Sequence, residues 1–162
     1  MVNTAGKMLL LFGLMAPVGM CHATDEFSLK ATFLYRFAQY TQWPPPPRTV
    51  IRFCVAEHPQ LLQALNTLPV EAQALTPDQP VDRCDVIMLG AAERIVLQHW
   101  QQQLAGRPLL IVTDNAEAYR QLAMIQLLTS PDGISFQVDL QRTHAHQLKL
   151  GSQLLKLARQ VD

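Results

Sequence analysis

The chain has 162 residues, 49% of them hydrophobic and 16% charged, with 13 basic and 13 acidic side chains. That length suits one domain with a genuine core, and the composition excludes a disordered chain. Formal neutrality without a Lys/Arg cluster leaves nothing to concentrate on a phosphate backbone, so nucleic acid is excluded as a partner.

Met1 to Ala23 reads as a cleaved secretory signal. Lys7 precedes an apolar run from Met8 to Met15, Pro17 and Gly19 break it, and cleavage is expected between Ala23 and Thr24. The run is shorter than the roughly 20 residues a bilayer span needs. Cys21 leaves lipoprotein processing as an alternative, although Met20 stands where that processing wants a small residue. Removing the signal takes away Lys7 and no acid, which leaves one domain over residues 24–162 with a charge near minus one.

The domain opens on an amphipathic helix. Ser28, Thr32, Arg36 and Gln39 form a polar stripe, and Phe27, Ala31, Leu34, Phe37, Ala38 and Thr41 lie opposite, with Phe33 and Tyr40 at the edge. Asp25 and Glu26 occupy its first turn, where negative charge suits the helix dipole. The helix is expected to run to Trp43 and stop at Pro44 to Pro47, a stiff spacer whose alternative use is as a ligand for a polyproline reader.

Thr49 to Ala56 then predicts a strand, and Pro59 to Leu65 a short helix with Leu61, Leu62 and Leu65 inward. Val70 to Pro80 is polar and irregular, with room for one short strand. Val86 to Leu89 and Leu109 to Val112 are continuous apolar runs, as strands covered on both faces should be. Between them Ala91 to Leu104 predicts a helix with Ile95, Val96, His99 and Trp100 at helical spacings. Asp114 is the expected cap of a short helix through Leu122. Met124 to Thr129 and Ile134 to Leu140 flank the turn Ser130-Pro131-Asp132-Gly133 and predict an antiparallel hairpin. A short helix over Gln141 to His146 and a short strand over Leu148 to Leu150 follow. Ser152 is then expected to cap a last helix with Leu154, Leu155, Ala158 and Val161 inward. The fold class is α/β: a single-domain open mixed sheet, mostly parallel with one antiparallel hairpin, and helices on both faces.

Such sheets bind ligands at the carboxyl ends of their strands, but the first strand–helix turn, Ala56-Glu57-His58-Pro59, has no glycine to admit a phosphate and a carboxylate to repel it. Catalytic signatures are lacking: no Gly-x-Ser-x-Gly, no Cys/His nucleophile pattern, and Asp82 and Asp85 read as loop carboxylates for solubility and capping. His144 and His146 lack the further ligands a metal would need, His58 is isolated, and His99 is expected to pack beside Trp100. No enzyme activity, cofactor or metal is therefore expected. Cys54 and Cys84 are the only cysteines after the signal; in an exported chain a disulfide is the simplest reading and two free buried thiols the alternative. Tyr35, Arg36, Tyr40 and Trp43 are candidate partner contacts, Tyr35 and Arg36 lying nearest the polar stripe.

Lys30-Ala31, Phe33, Leu34, Phe37, Tyr40, Thr41, Trp43-Pro44, then Phe53-Cys54-Val55, Cys84 ahead of Val86 to Leu89, Leu109 to Asp114, the Ile134 to Leu140 strand and the ending Leu154 to Ala158 together resemble the YfiR family of periplasmic regulators. The resemblance covers most of the mature chain. It implies a small secreted α/β domain in the periplasm that forms homodimers and acts by contact. It implies restraint of an inner-membrane diguanylate cyclase through its periplasmic sensor, and relief by an outer-membrane partner, with cyclic-di-GMP and biofilm matrix as the readout. The chain departs from the family pattern at Gln121-Leu122-Ala123, where a glycine pair is usual, and at Asp139, commonly Asn. It also lacks the cysteines of the second disulfide found in some members. The alternative function is a periplasmic small-ligand module reporting to a membrane partner; an exposed apolar patch would favour the regulator, an enclosed pocket with converging polar groups the ligand binder.

Overall fold

A computed structural model describes residues 21–90 and 93–162. In chain order the elements are α1 (Cys21–Gln39), β1 (Thr41–Gln42), β2 (Arg52–Ala56), α2 (Pro59–Leu65), β3 (Glu71–Ala74), β4 (Val86–Leu89) and α3 (Arg94–Leu104). Then come β5 (Leu110–Thr113), α4 (Ala116–Gln121), β6 (Ile125–Ser130), β7 (Gly133–Val138), α5 (Leu140–Ala145), β8 (Lys149–Leu150), α6 (Ser152–Leu155) and β9 (Gln160–Val161). The expected signal segment before Cys21 lies outside the described residues, and Ala23 and Thr24 fall in the first turn of α1.

Seven strands form one sheet in the order β3-β2-β4-β5-β6-β7-β9, parallel except for the β6–β7 hairpin. The five strands from β2 to β6 therefore stand in the spatial order 2-1-3-4-5 of doubly wound flavodoxin-like sheets. The chain winds one way from β2 through α2 to β3 and the opposite way from β4 through α3 and α4 to β6. Right-handed crossovers then put α2 on one face and α3 and α4 on the other. The central strands β4 and β5 are buried at every position, which is why their sequences are continuously apolar.

α1 packs beside α2 and reaches β7. Its inward face is the expected one: Ala31, Leu34, Phe37 and Ala38 are buried, and Phe37 meets Phe136 edge-on at 4.9 Å. The helix ends at Gln39, short of Trp43, because Thr41 and Gln42 pair antiparallel with Leu150 and Lys149 and the main chain must extend to do so. The Cys54–Cys84 disulfide is formed, with Sγ atoms 2.01 Å apart and Cα atoms 5.7 Å apart. It fastens β2 to the residue two positions before β4.

Three other expectations give way to tertiary contacts. The final helix is a single turn, Ser152–Leu155, capped at Gly151 and not Ser152. The chain then extends so that Arg159 N donates to Phe136 O and Asp162 N to Val138 O, making β9 the edge strand. Leu154 is buried, but Leu157 is 74% exposed and Val161 also faces solvent. On α3 the buried side is Leu97, Trp100 and Leu104, while Ile95 is exposed. Asn115, not Asp114, caps α4, its Oδ1 accepting from Glu117 N and Ala118 N at 3.0 Å each; Asp114 is committed elsewhere.

Candidate functional site

The winding reverses between β2 and β4, and the crevice outside the carboxyl ends of those strands is where an open α/β sheet ordinarily receives a ligand. Here the crevice walls touch. Glu57, just past β2, has φ 63°, and a Cβ added to Gly90, just past β4, would lie 2.8 Å from Glu57 Cβ and 3.0 Å from Glu57 O. Glycine is required at 90 because the two loops already meet.

Charged groups from three directions fill the neighbouring strand ends. Asp114, one residue past β5, accepts a hydrogen bond from Lys30 Nζ at 2.8 Å and lies 3.0 Å from His58 Nε2 through its other oxygen. Lys30 also pairs with Glu26 at 2.7 Å, one turn earlier on α1, and Thr129 Oγ1 donates to the same Glu26 oxygen at 3.2 Å. Lys30 is only 5% exposed, so α1 presses its cation into the sheet edge. Phe27 closes the cluster, edge-on to His58 and 5.6 Å from the Lys30 ammonium.

Burial alone would raise the Asp114 carboxyl, but the bonds and charges of His58 and Lys30 outweigh it and hold the group at about 2. Burial likewise works to lower Lys30, and its bonds to Asp114 and Glu26 win, so it is raised. The hydrogen bond from Lys30 lowers Glu26. Each charged side chain of the cluster thus has a partner, and the pairs fasten α1 to the strand ends after β2 and β5.

The open surfaces flank α1. On one flank Leu29 and Phe33 of the helix and Tyr40 just past its end face Phe136, Leu154 and Leu157 across a groove of about 300 Å³, and Arg36 lies among them. Leu29 and Tyr40 are 40% and 36% exposed, unusually so for side chains of that size in a row. On the other flank Tyr35 lines a separate, open groove of about 570 Å³ with Val50, Leu68 and Glu71. The family model described as YfiR/HmsC-like matches residues 27–159, from the Phe27 that closes the crevice to the Arg159 that begins the return to the sheet edge. The chain belongs to the YfiR/HmsC-like family. No curated protein matches the sequence.

The YfiR/HmsC-like domain separates the four candidate contacts. Arg36 and Tyr40 share the apolar groove, Tyr35 lies on the opposite flank, and Trp43 is packed under Arg48, whose guanidinium carbon is 5.5 Å from its ring. Arg48 Nε is in turn 3.2 Å from Asp85 Oδ1, close enough for charge pairing though not aligned as a hydrogen bond. Asp85 is not the solvated loop carboxylate its sequence position predicts: it is buried and accepts from Arg52 N at 2.9 Å and Arg52 Nε at 3.2 Å. Asp139 caps α5 by accepting from Arg142 N. Leu122 and Ala123 are buried.

His146 is buried, not a surface histidine, with Nδ1 2.7 Å from Arg107 O; His144 is exposed. His99 meets Trp100 edge-on, as expected, and its Nε2 is 2.7 Å from Pro77 O. Among the described residues no group of three or more His, Cys, Asp or Glu is placed to hold a metal ion. Sequence reasoning missed the Lys30–Asp114–His58 cluster. Two signals pointed to it: Glu26 and Lys30 stand four apart on a helix, and Asp114 and His58 each follow a strand at its carboxyl end.

Proposed function

We propose that this YfiR/HmsC-like domain is a periplasmic, non-enzymatic regulator that binds and restrains the sensor region of an inner-membrane signalling protein, a diguanylate cyclase in the first instance. The family is one of periplasmic regulators of signalling, and among the described residues no helix is long and apolar enough to cross a membrane. The observation that carries the reading is the exposed apolar groove between α1 and α6, a surface for contact, beside a ligand crevice whose walls touch and whose charges are already paired. Deletion of the gene is expected to raise cellular cyclic-di-GMP and matrix production, measured by nucleotide extraction and dye binding. Unchanged levels across several growth conditions would count against a cyclase as the target.

A second reading, a small-ligand module reporting to a membrane partner, draws on the open groove beside Tyr35, where Gln39, Thr49 and Glu71 stand among apolar side chains. Its openness favours the contact reading.

A further inference from the structure

We infer that the α1–α6 groove is the seat of an acidic amphipathic helix supplied by a different protein. This rests on the contact reading of function and names the chemistry of the partner.

Leu29, Phe33, Arg36 and Tyr40 follow one another at spacings of four, three and four residues. Leu29 and Tyr40 are eleven residues apart, so the helix wall of the groove is about 16 Å long, or three turns. A helix of similar length presents its own apolar ridge at the same spacings, which is how helices lie in grooves. The opposite wall, Phe136, Leu154 and Leu157, is apolar as well. Leu157 is the most exposed residue of that wall and is available to be covered.

Charge decides among the occupants. Arg36 lies in the groove, and among the described residues its partner is the Gln39 amide oxygen, which accepts from it at 3.2 Å. Lys149, Lys156 and Arg159 belong to the same C-terminal stretch that supplies Leu154 and Leu157. Among the described residues no carboxylate pairs with any of these four cations, nor with Arg83 or Arg94, and of these six Arg36 is the one that lines the groove. Glu26, the acid nearest Leu29 on α1, is taken up by Lys30. The apolar groove therefore holds a guanidinium that no described carboxylate neutralises. A second copy docked here by two-fold symmetry would bring a second Arg36 to the same groove and no carboxylate for either. A lipid surface is flat, and the groove is concave. A helix whose apolar ridge is flanked by carboxylates satisfies both the shape and the charge.

The test places the photo-crosslinker benzoylphenylalanine at Leu29, Leu157, Tyr35 or Ile95 of the exported protein in intact cells, and maps each adduct by fragmentation mass spectrometry. The expected result is adducts from Leu29 and Leu157 to a helical segment with an apolar ridge flanked by Asp or Glu. Arg36→Glu should then lower the Leu157 adduct at least tenfold, while Arg36→Lys keeps most of it and both variants retain the parent unfolding temperature. No adduct from either groove position overturns the proposal; so does an adduct to a second copy of this chain, to lipid, or to a basic segment, or an Arg36→Glu adduct of undiminished yield. If Tyr35 or Ile95 alone reaches a membrane signalling protein, the groove proposal falls and the contact reading stands. If the groove captures an acidic helix from a protein with no bearing on signalling, the groove proposal stands and the contact reading falls.

Discussion

One helix serves two surfaces that are finished to opposite degrees. Toward the strand ends, α1 contributes Lys30 and Glu26 to a cluster in which every charge has a partner. Along its outer flank Leu29, Arg36 and, just past its end, Tyr40 are left uncovered, and among the described residues the polar partner of Arg36 is the Gln39 amide. Paired charge at a buried edge holds a fold in one arrangement, because losing one member leaves the other stranded. Exposed apolar area beside an unpaired cation does nothing for the isolated domain. The contrast separates the part of α1 that maintains the structure from the part that remains for another molecule.

That separation predicts unequal costs. The disulfide joins β2 to the approach to β4, the two strands between which the crevice would open, and closes a separation of 30 residues. Replacing both cysteines with serine should cost about 3.5 kcal/mol in urea unfolding. Asp114→Ala leaves His58 without its carboxylate and Lys30 with Glu26 alone, and should cost about 3 kcal/mol; a loss under about 1 kcal/mol would mean that the cluster is not the fastener described. Acid probes the same place. Asp114 is held at about 2, below its usual 3.8, so its contribution is fully present above pH 4 and lost as the pH falls toward 2. Glu26 is lowered too and loses its contribution in the same direction. The shift at Asp114 corresponds to about 2 kcal/mol, and Asp114→Asn should flatten that limb of the stability–pH curve. The smallest effect is expected in the groove: Leu157→Ser should change stability by less than about 0.5 kcal/mol, since the side chain is already in water. A large loss there would show that the groove wall is structural and remove the contrast.

Most of the domain was legible because each layer of an α/β fold leaves its own period. The parallel strands declared themselves as unbroken apolar runs at Val86 to Leu89 and Leu109 to Val112, the hairpin by Pro-Asp-Gly, and α1 by its inward stripe. The candidate site was legible only in pieces. Arg36 and Tyr40 were named, but Leu157 went unnamed within an expected helix of which only the first turn, Ser152–Leu155, forms, and Tyr35 and Trp43 were grouped with residues they do not join. Asp114 was read as a cap because capping is the commonest local use of an acid before a helix. Asn115 took that role one residue later, freeing Asp114 for partners 84 and 56 residues away.

The sequence by itself determined the central strands, the hairpin, the inward face of α1 and the two cysteines available to pair, since those depend on local periodicity and on composition. Tertiary structure alone decided the end of α1 at Gln39, the edge strand at Gln160–Val161, the pairing of Lys30 with Asp114, and the groove left open beside Arg36. Each of those depends on which distant backbone or charge arrives alongside, and a partner that far along the chain leaves no period to read.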